Sequence, residues 1–265
     1  MKAARKKRHA RVAAAAAALS VLCLLAFVPV AHGAEGDAFS LSITPYAWLP
    51  GVDGSVGIFG IKRDIDANFC DVVDDSDSLI GLFGRVEARY RRFGFYADGG
   101  YMRVGVNNVH GPLGITNVDI TQKMGLLDFG LMYRVVAQQQ PDSRFALDAT
   151  LGGRYWTMTS EFNPTNVGLT LSTSEGWVDP TIGLRSTIGL GRRWEIVLGG
   201  DVGGFNTVSE FTWSAVGTVG YVFEMGRVQS SIYVGYKAIG DEYSKDEFTF
   251  DAVLHGPVIG WRFTF

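Results

Sequence analysis

The charged residues that could do chemistry in this chain share one spacing. Arg85, Glu87 and Arg89 recur at every second position, and Asp148 with Arg154, Asp179 with Arg185, and Glu195 with Asp201 lie an even number of residues apart. Residues two apart in an extended chain share a face, so each set lines one side of a strand. Asp98, Asp128, Arg134, Lys237 and Arg262 occupy the corresponding side of their own segments. Two chemistries suit such an array of both signs. One is a salt-bridged filling in which charges satisfy one another, because an unpaired buried charge is costly; the other is a selective path for ions or solutes. The filling is the favoured reading.

Other chemistry has less to stand on. A hydrolase would need a histidine base, and beyond residue 33 the histidines are His110, in "NNVHGPLG", and His255. His110 reads as a solvated loop residue, and His255, on the parity of Ile259 and Trp261, as a residue of the outer lipid interface. No Ser/His/Asp arrangement follows from the spacing, so no catalytic residue, cofactor site or metal site is expected. Asp71, Asp74, Asp75 and Asp77 in "CDVVDDSDSL" could meet a hard cation. The run lacks the Gly and distal Glu of a dedicated calcium loop, so a solvated loop or cap is expected, with Cys70 as a small packed residue.

The chain has 265 residues, 47% hydrophobic and 12% aromatic, with 34 glycines. Such richness in apolar and aromatic residues excludes disorder. "MKAARKKRHAR", an apolar run, and small residues at Ala31 and Gly33 form a signal peptide over residues 1–33, leaving residues 34–265 as one domain. Of 24 Lys+Arg, the six in that leader are lost with no acidic residue, so 18 remain against 27 Asp+Glu, a formal charge of −9. An acidic chain is a poor match for nucleic acid. Cys70 is then the sole cysteine, which rules out an intramolecular disulfide.

The elements that must position these charges are strands. "RFALDATLGGRYW", "WVDPTIGLRSTIGL", "RWEIVLGGDVGGF" and "QSSIYVGYKAIG" all alternate apolar with polar or small residues. Tight turns near 90–94, 138–144, 190–194 and 223–227 alternate along the chain with "NNVHGPLG", "NPTNVG", "FNTVSE" and "GDEYSKDE", which are longer or more polar. A meander that sorts its loops to two ends fits a transmembrane barrel, with short periplasmic turns and longer extracellular loops. Alternation alone also fits a soluble sandwich. Three features favour the membrane: strands of about 12 to 20 residues against the usual 5 or 6; aromatics near strand ends on the apolar face (Tyr90, Phe95, Tyr133, Trp194, Phe223, Trp261, Phe263); and a second face of small and charged residues. The fold class is all-β, an antiparallel up-and-down transmembrane barrel. Nine strands are counted from residue 80 onward and one at 38–49, which gives ten; if "GSVGIFG" and "RDIDANF" add a hairpin the total is twelve, the favoured count.

"YAWLPGVDGSVGI", "WVDPTIGLR", "GDVGGF" and the terminal "GWRFTF" resemble segments of a proteobacterial family of outer-membrane β-barrels, distantly like the small barrels of the OmpA and OmpW kind. The resemblance covers most of residues 39–265. It implies export to the Gram-negative outer membrane, contact with its lipid and lipopolysaccharide, and insertion by the barrel assembly machinery. That machinery reads a final strand ending on an aromatic, so Ile259, Trp261, Phe263 and Phe265 are the implied assembly signal. No ligand or reaction comes with it. The expectation is a monomeric, non-enzymatic barrel with a structural or surface-interaction role; a small passive channel is the alternative, and an outer-membrane hydrolase a distant third.

Overall fold

A computed structural model describes residues 39–58, 61–67, 69–74, 78–110, 117–164, 171–226, 228–246 and 248–265; the expected signal peptide, residues 1–33, lies outside the described residues. Twelve strands join in one antiparallel sheet: β1 (Phe39–Trp48), β2 (Gly51–Ile58), β3 (Ile61–Ala67), β4 (Ser78–Tyr90), β5 (Phe93–His110), β6 (Asn117–Gln140), β7 (Ser143–Pro164), β8 (Leu171–Leu190), β9 (Trp194–Gly203), β10 (Phe211–Met225), β11 (Val228–Lys245) and β12 (Phe248–Thr264). The sheet closes because β1 pairs with β4 on one side and β12 on the other. Ten strands therefore form the wall. At the seam Leu41 and Phe265 exchange backbone hydrogen bonds of 2.8 and 3.2 Å, so Phe265 donates through its N–H and accepts through a carboxylate oxygen. Over the height at which β1 pairs on both sides, the wall has no unpaired edge for lipid to meet.

The hairpin of β2 and β3 stands outside the ten. Its register explains why: Trp48↔Val258 on β1 continues as Gly51↔His255 on β2, so the chain keeps following β12 past Leu49 and Pro50 while β4 is left behind. β3 then folds back on β2. A short helix, α1 (Phe69–Asp74), follows. Cys70 on it is exposed, not packed as expected: the helix is short and set against the hairpin, and its Phe69 is half-buried while Cys70 and Asp71 are exposed.

Alternation sorts the side chains as the spacing requires. On β6, Leu127, Phe129, Leu131, Tyr133 and Val135 point outward and are exposed, while Met124, Leu126 and Met132 of the other parity are buried. The outward apolar belt passes through Val86, Phe95, Leu151, Ile182, Val219, Val234 and Ile259 on other strands. It ends at about Gly125. Lys123 and Glu161, also outward, form a 2.5 Å ion pair one step beyond. A span from Leu127 to Val135 matches the roughly 9 to 11 tilted residues that cross hydrocarbon, yet β6, β7 and β8 have 24, 22 and 20 residues. These three strands thus rise well above the belt as a paired wall.

Two loop expectations change. "GDEYSKDE" is almost wholly strand: β11 and β12 pair as far as Lys245↔Phe248, with Asp246 beyond the last pair at φ 51. Pairing persists because Tyr243, Phe248 and Phe250 all turn into the lumen. By contrast, the loop 204–210 is folded inward over the wall by hydrogen bonds described below.

Candidate functional site

The inward face carries three tiers of different chemistry. The middle tier is centred on Arg154, which is fully buried. Its three nitrogens donate to Asp128 Oδ1 (2.7 Å), Asp201 Oδ1 (2.8 Å) and Thr212 Oγ1 (2.9 Å), tying β6, β7, β9 and β10 together. Ser214 donates to the second oxygen of Asp201. Beside this hub, Asp98 accepts from Tyr46 (2.6 Å) and from Arg85 (3.1 Å), with the Lys237 ammonium 3.6 Å away. Arg85 also bonds Glu87. The planar fork of arginine suits this use, since one guanidinium serves several oxygens in fixed geometry.

The tier next to the tight turns is a vestibule. Asp148 is held by two forks at once, Arg89 (2.8 and 3.1 Å) and Arg134 (2.8 and 3.1 Å). Glu195 accepts from Arg262 (3.0 Å) and Ser231 (2.6 Å). A cavity of about 370 Å³ lies among these groups. Two more, of about 50 and 60 Å³, lie further along the lumen.

The third tier, toward the opposite end, corrects the expectation of an inward face made only of small and charged residues. Trp48, Phe83, Met124, Leu126, Trp156, Met158, Trp177, Tyr243, Phe248, Phe250 and Leu254 form one buried cluster inside the wall. The Trp177 and Tyr243 rings stack at 4.1 Å and 1°, and Trp156 meets Phe250 at 5.6 Å. Large rings fit because glycines face them: a Cβ on Gly100 would collide with Phe83, and one on Gly260 with Tyr233. Lys237 joins the tiers, its ammonium 5.4 Å from both the Tyr46 and Trp48 ring centres.

Every charge expected in the lumen is found on the inward parity, but they are not one network. Arg85, Glu87, Asp98 and Lys237 form one group, with Arg185 reaching Glu87 at 3.7 Å; Asp128, Arg154 and Asp201 form another; Arg89, Arg134 and Asp148 a third; Glu195 and Arg262 a fourth. Asp179 departs from the rest. It turns to the loop, accepting from the Ser209 N–H (2.9 Å) and Oγ (2.7 Å), while Asp241 Oδ1 lies 3.0 Å from the same hydroxyl. Tyr46, Thr212, Ser231, Ser209 and Asp241 complete these groups and were not anticipated. For Asp241 a signal existed, since it shares the parity of Lys237; for Ser209 none did, as it lies in a loop.

His255 points outward, its Nδ1 2.6 Å from the Tyr236 hydroxyl. Among the described residues no three His, Cys, Asp or Glu side chains come together as a metal site. Ile259, Trp261 and Phe265 are exposed on the outward face, and the Trp261 and Phe263 rings stack at 4.8 Å.

No family model matches this chain, and no curated protein does. Among solved structures, the chain is similar to Ail, the attachment invasion locus protein of Yersinia pestis, in complex with the heparin analogue sucrose octasulfate: 13% identity and a TM-score of 0.38 over 87% of this chain and 100% of that one. A second structure of Ail has 12% identity and a TM-score of 0.35 over 87% and 100%. A FadL homologue from Pseudomonas aeruginosa has 10% identity and a TM-score of 0.24, covering 86% of this chain and 90% of its own. At these scores the likeness carries no argument about function, and the fold rests on the pairings above.

Proposed function

We propose that this protein is an integral outer-membrane barrel with a structural or surface-interaction role, and that it is neither a diffusion channel nor an enzyme. One observation carries the choice: toward one end the lumen holds a packed cluster of aromatic and aliphatic side chains, with Trp156 and Ile239 fully buried among them. A water-filled pore needs a polar lining throughout, and closing ten strands leaves an interior that side chains of this size can fill. The membrane reading rests on the exposed apolar belt, which would be an aggregation hazard in water. With both termini periplasmic, the tight turns and vestibule face the periplasm, and the tall wall of β6, β7 and β8 stands outside the cell, where lipopolysaccharide or another surface is its natural contact. Export by a signal peptide over residues 1–33, insertion by the barrel assembly machinery through Ile259, Trp261, Phe263 and Phe265, and a monomeric state complete the proposal. The test is conductance in planar bilayers. Purified protein that keeps heat-modifiable gel mobility is expected to stay silent; discrete openings under voltage would overturn the closed lumen.

A further inference from the structure

The vestibule is more than the lower end of a filled barrel. Arg89, Arg134, Arg144, Arg185 and Arg262 line its cavity, and the carboxylates there are Glu87, Asp148 and Glu195. Among the described residues of the lining, two positive charges are therefore in excess in an otherwise acidic chain. The surplus resides in identifiable groups. Arg89 and Arg134 are bound to Asp148, and Arg262 to Glu195. Arg185 reaches a carboxylate only at 3.7 Å, on Glu87 Oε1, which Arg85 already engages. Among the described residues, the side chains of Arg144 and Arg185 make no hydrogen bond to the protein. A guanidinium carries five N–H donors, and no nitrogen of Arg144 or Arg185 is among the buried polar atoms that lack a partner, so these donors are open to whatever occupies the cavity.

We propose that the vestibule binds a small, doubly charged phosphate ester entering from the periplasmic mouth, a reading that rests on the orientation given above. The excess of two cations matches a phosphate monoester, whose charge near neutrality is about −1.5 to −2. The fork of Arg185, lining all three cavities at the inner end, and that of Arg144 nearer the mouth supply donors suited to phosphoryl oxygens. The rest of the lining is hydroxyl and amide, including Ser40, Ser42, Thr187, Thr264 and Gln229, which suits a hydroxyl-rich body such as a sugar. A volume of about 370 Å³ falls in the range of ligand pockets, roughly 300 to 1,000 Å³.

Calorimetry on the refolded full chain in detergent, with glucose 6-phosphate as probe and glucose and succinate as controls, tests this. Saturable binding of the phosphate ester is expected, with no heat from glucose. Arg185→Gln and Arg144→Gln are each expected to weaken it at least tenfold, while Arg192→Gln, an exposed turn charge outside the cavity, leaves it unchanged. Arg144→Gln keeps the test open if Arg185→Gln does not refold. Absence of saturable binding to the wild type overturns the site, as does equal weakening by Arg192→Gln, and tighter binding of succinate overturns the phosphate assignment. Conductance of the wild type would instead refute the closed lumen while leaving this binding result in place, so the two failures are distinct.

Discussion

Removing the Arg154 guanidinium probes the middle tier most directly. Arg154→Met keeps most of the volume of the stem and takes away bonds of 2.7, 2.8 and 2.9 Å at once. Asp128 and Asp201 are then left inside the wall with no cation in contact among the described residues. Breaking one buried pair costs about 3 to 5 kcal/mol, chiefly because the surviving charge is unpaired. Two carboxylates share one partner here, so the upper end of that range applies, a shift of roughly three and a half decades in the folding equilibrium. If the stranded charges are the cause, then Arg154→Met combined with Asp128→Asn and Asp201→Asn recovers most of the loss, since neutral amides need no cation. Urea unfolding of protein refolded into phospholipid vesicles, followed by tryptophan fluorescence and by heat-modifiable mobility, measures both. A single variant within about 1 kcal/mol of wild type would refute the hub, a threshold set by the ordinary scatter of surface substitutions. A triple variant no better than the single one would show that shape, not charge, was lost.

Three further outcomes follow from the same geometry. Leu131, 64% exposed at the middle of the belt, is expected to cost about 2 to 4 kcal/mol when changed to Arg in a bilayer, against about 0 to 1 for Thr121→Arg beyond the belt edge; equal costs in vesicle refolding would deny that this face meets lipid. The Ser209 hydroxyl has one proton and two carboxyl neighbours, Asp179 at 2.7 Å and Asp241 at 3.0 Å, and only Asp179 also takes the Ser209 N–H; Asp241→Asn, which can donate to that hydroxyl, is therefore expected to be tolerated and Asp179→Asn to loosen the loop 204–210, read as faster proteolysis there, and the reverse order would refute the assignment. Deleting Phe265 removes a residue whose N–H and carboxylate both pair with Leu41 at the seam as well as the terminal aromatic; less folded protein in outer-membrane fractions is expected, and unchanged heat-modifiable yield in cells would count against both roles.

Much of the fold was legible in one dimension because a strand has a period of two. Alternation alone assigns Leu131 outward and Met132 inward, Ile182 outward and Thr181 inward, and no tertiary information improves on it. The tight turns and the apolar ending "VIGWRFTF" were legible for the same reason, since local geometry and local solvent preference are written in consecutive residues. Parity also delivered Trp156 to the face of Arg154, yet the spacing held no measure of how wide the interior is. Whether inward rings fill a lumen or merely line it depends on strand number and stagger, which are properties of closure. That is why the aromatic tier was missed.

What the sequence by itself determined is which face each side chain takes and which solvent that face expects, because both depend on neighbours one or two residues away. What only the tertiary structure decided is the partner. Arg154 meets Asp128 and Asp201, 26 and 47 residues distant; Asp179 abandons Arg154, its neighbour across the β7 and β8 pairing, for a serine in a loop; and β2 leaves the wall because the register of β1 runs on along β12. Those choices arise across the lumen and around the seam, where residues remote in the chain are brought within a hydrogen bond only once the barrel has closed.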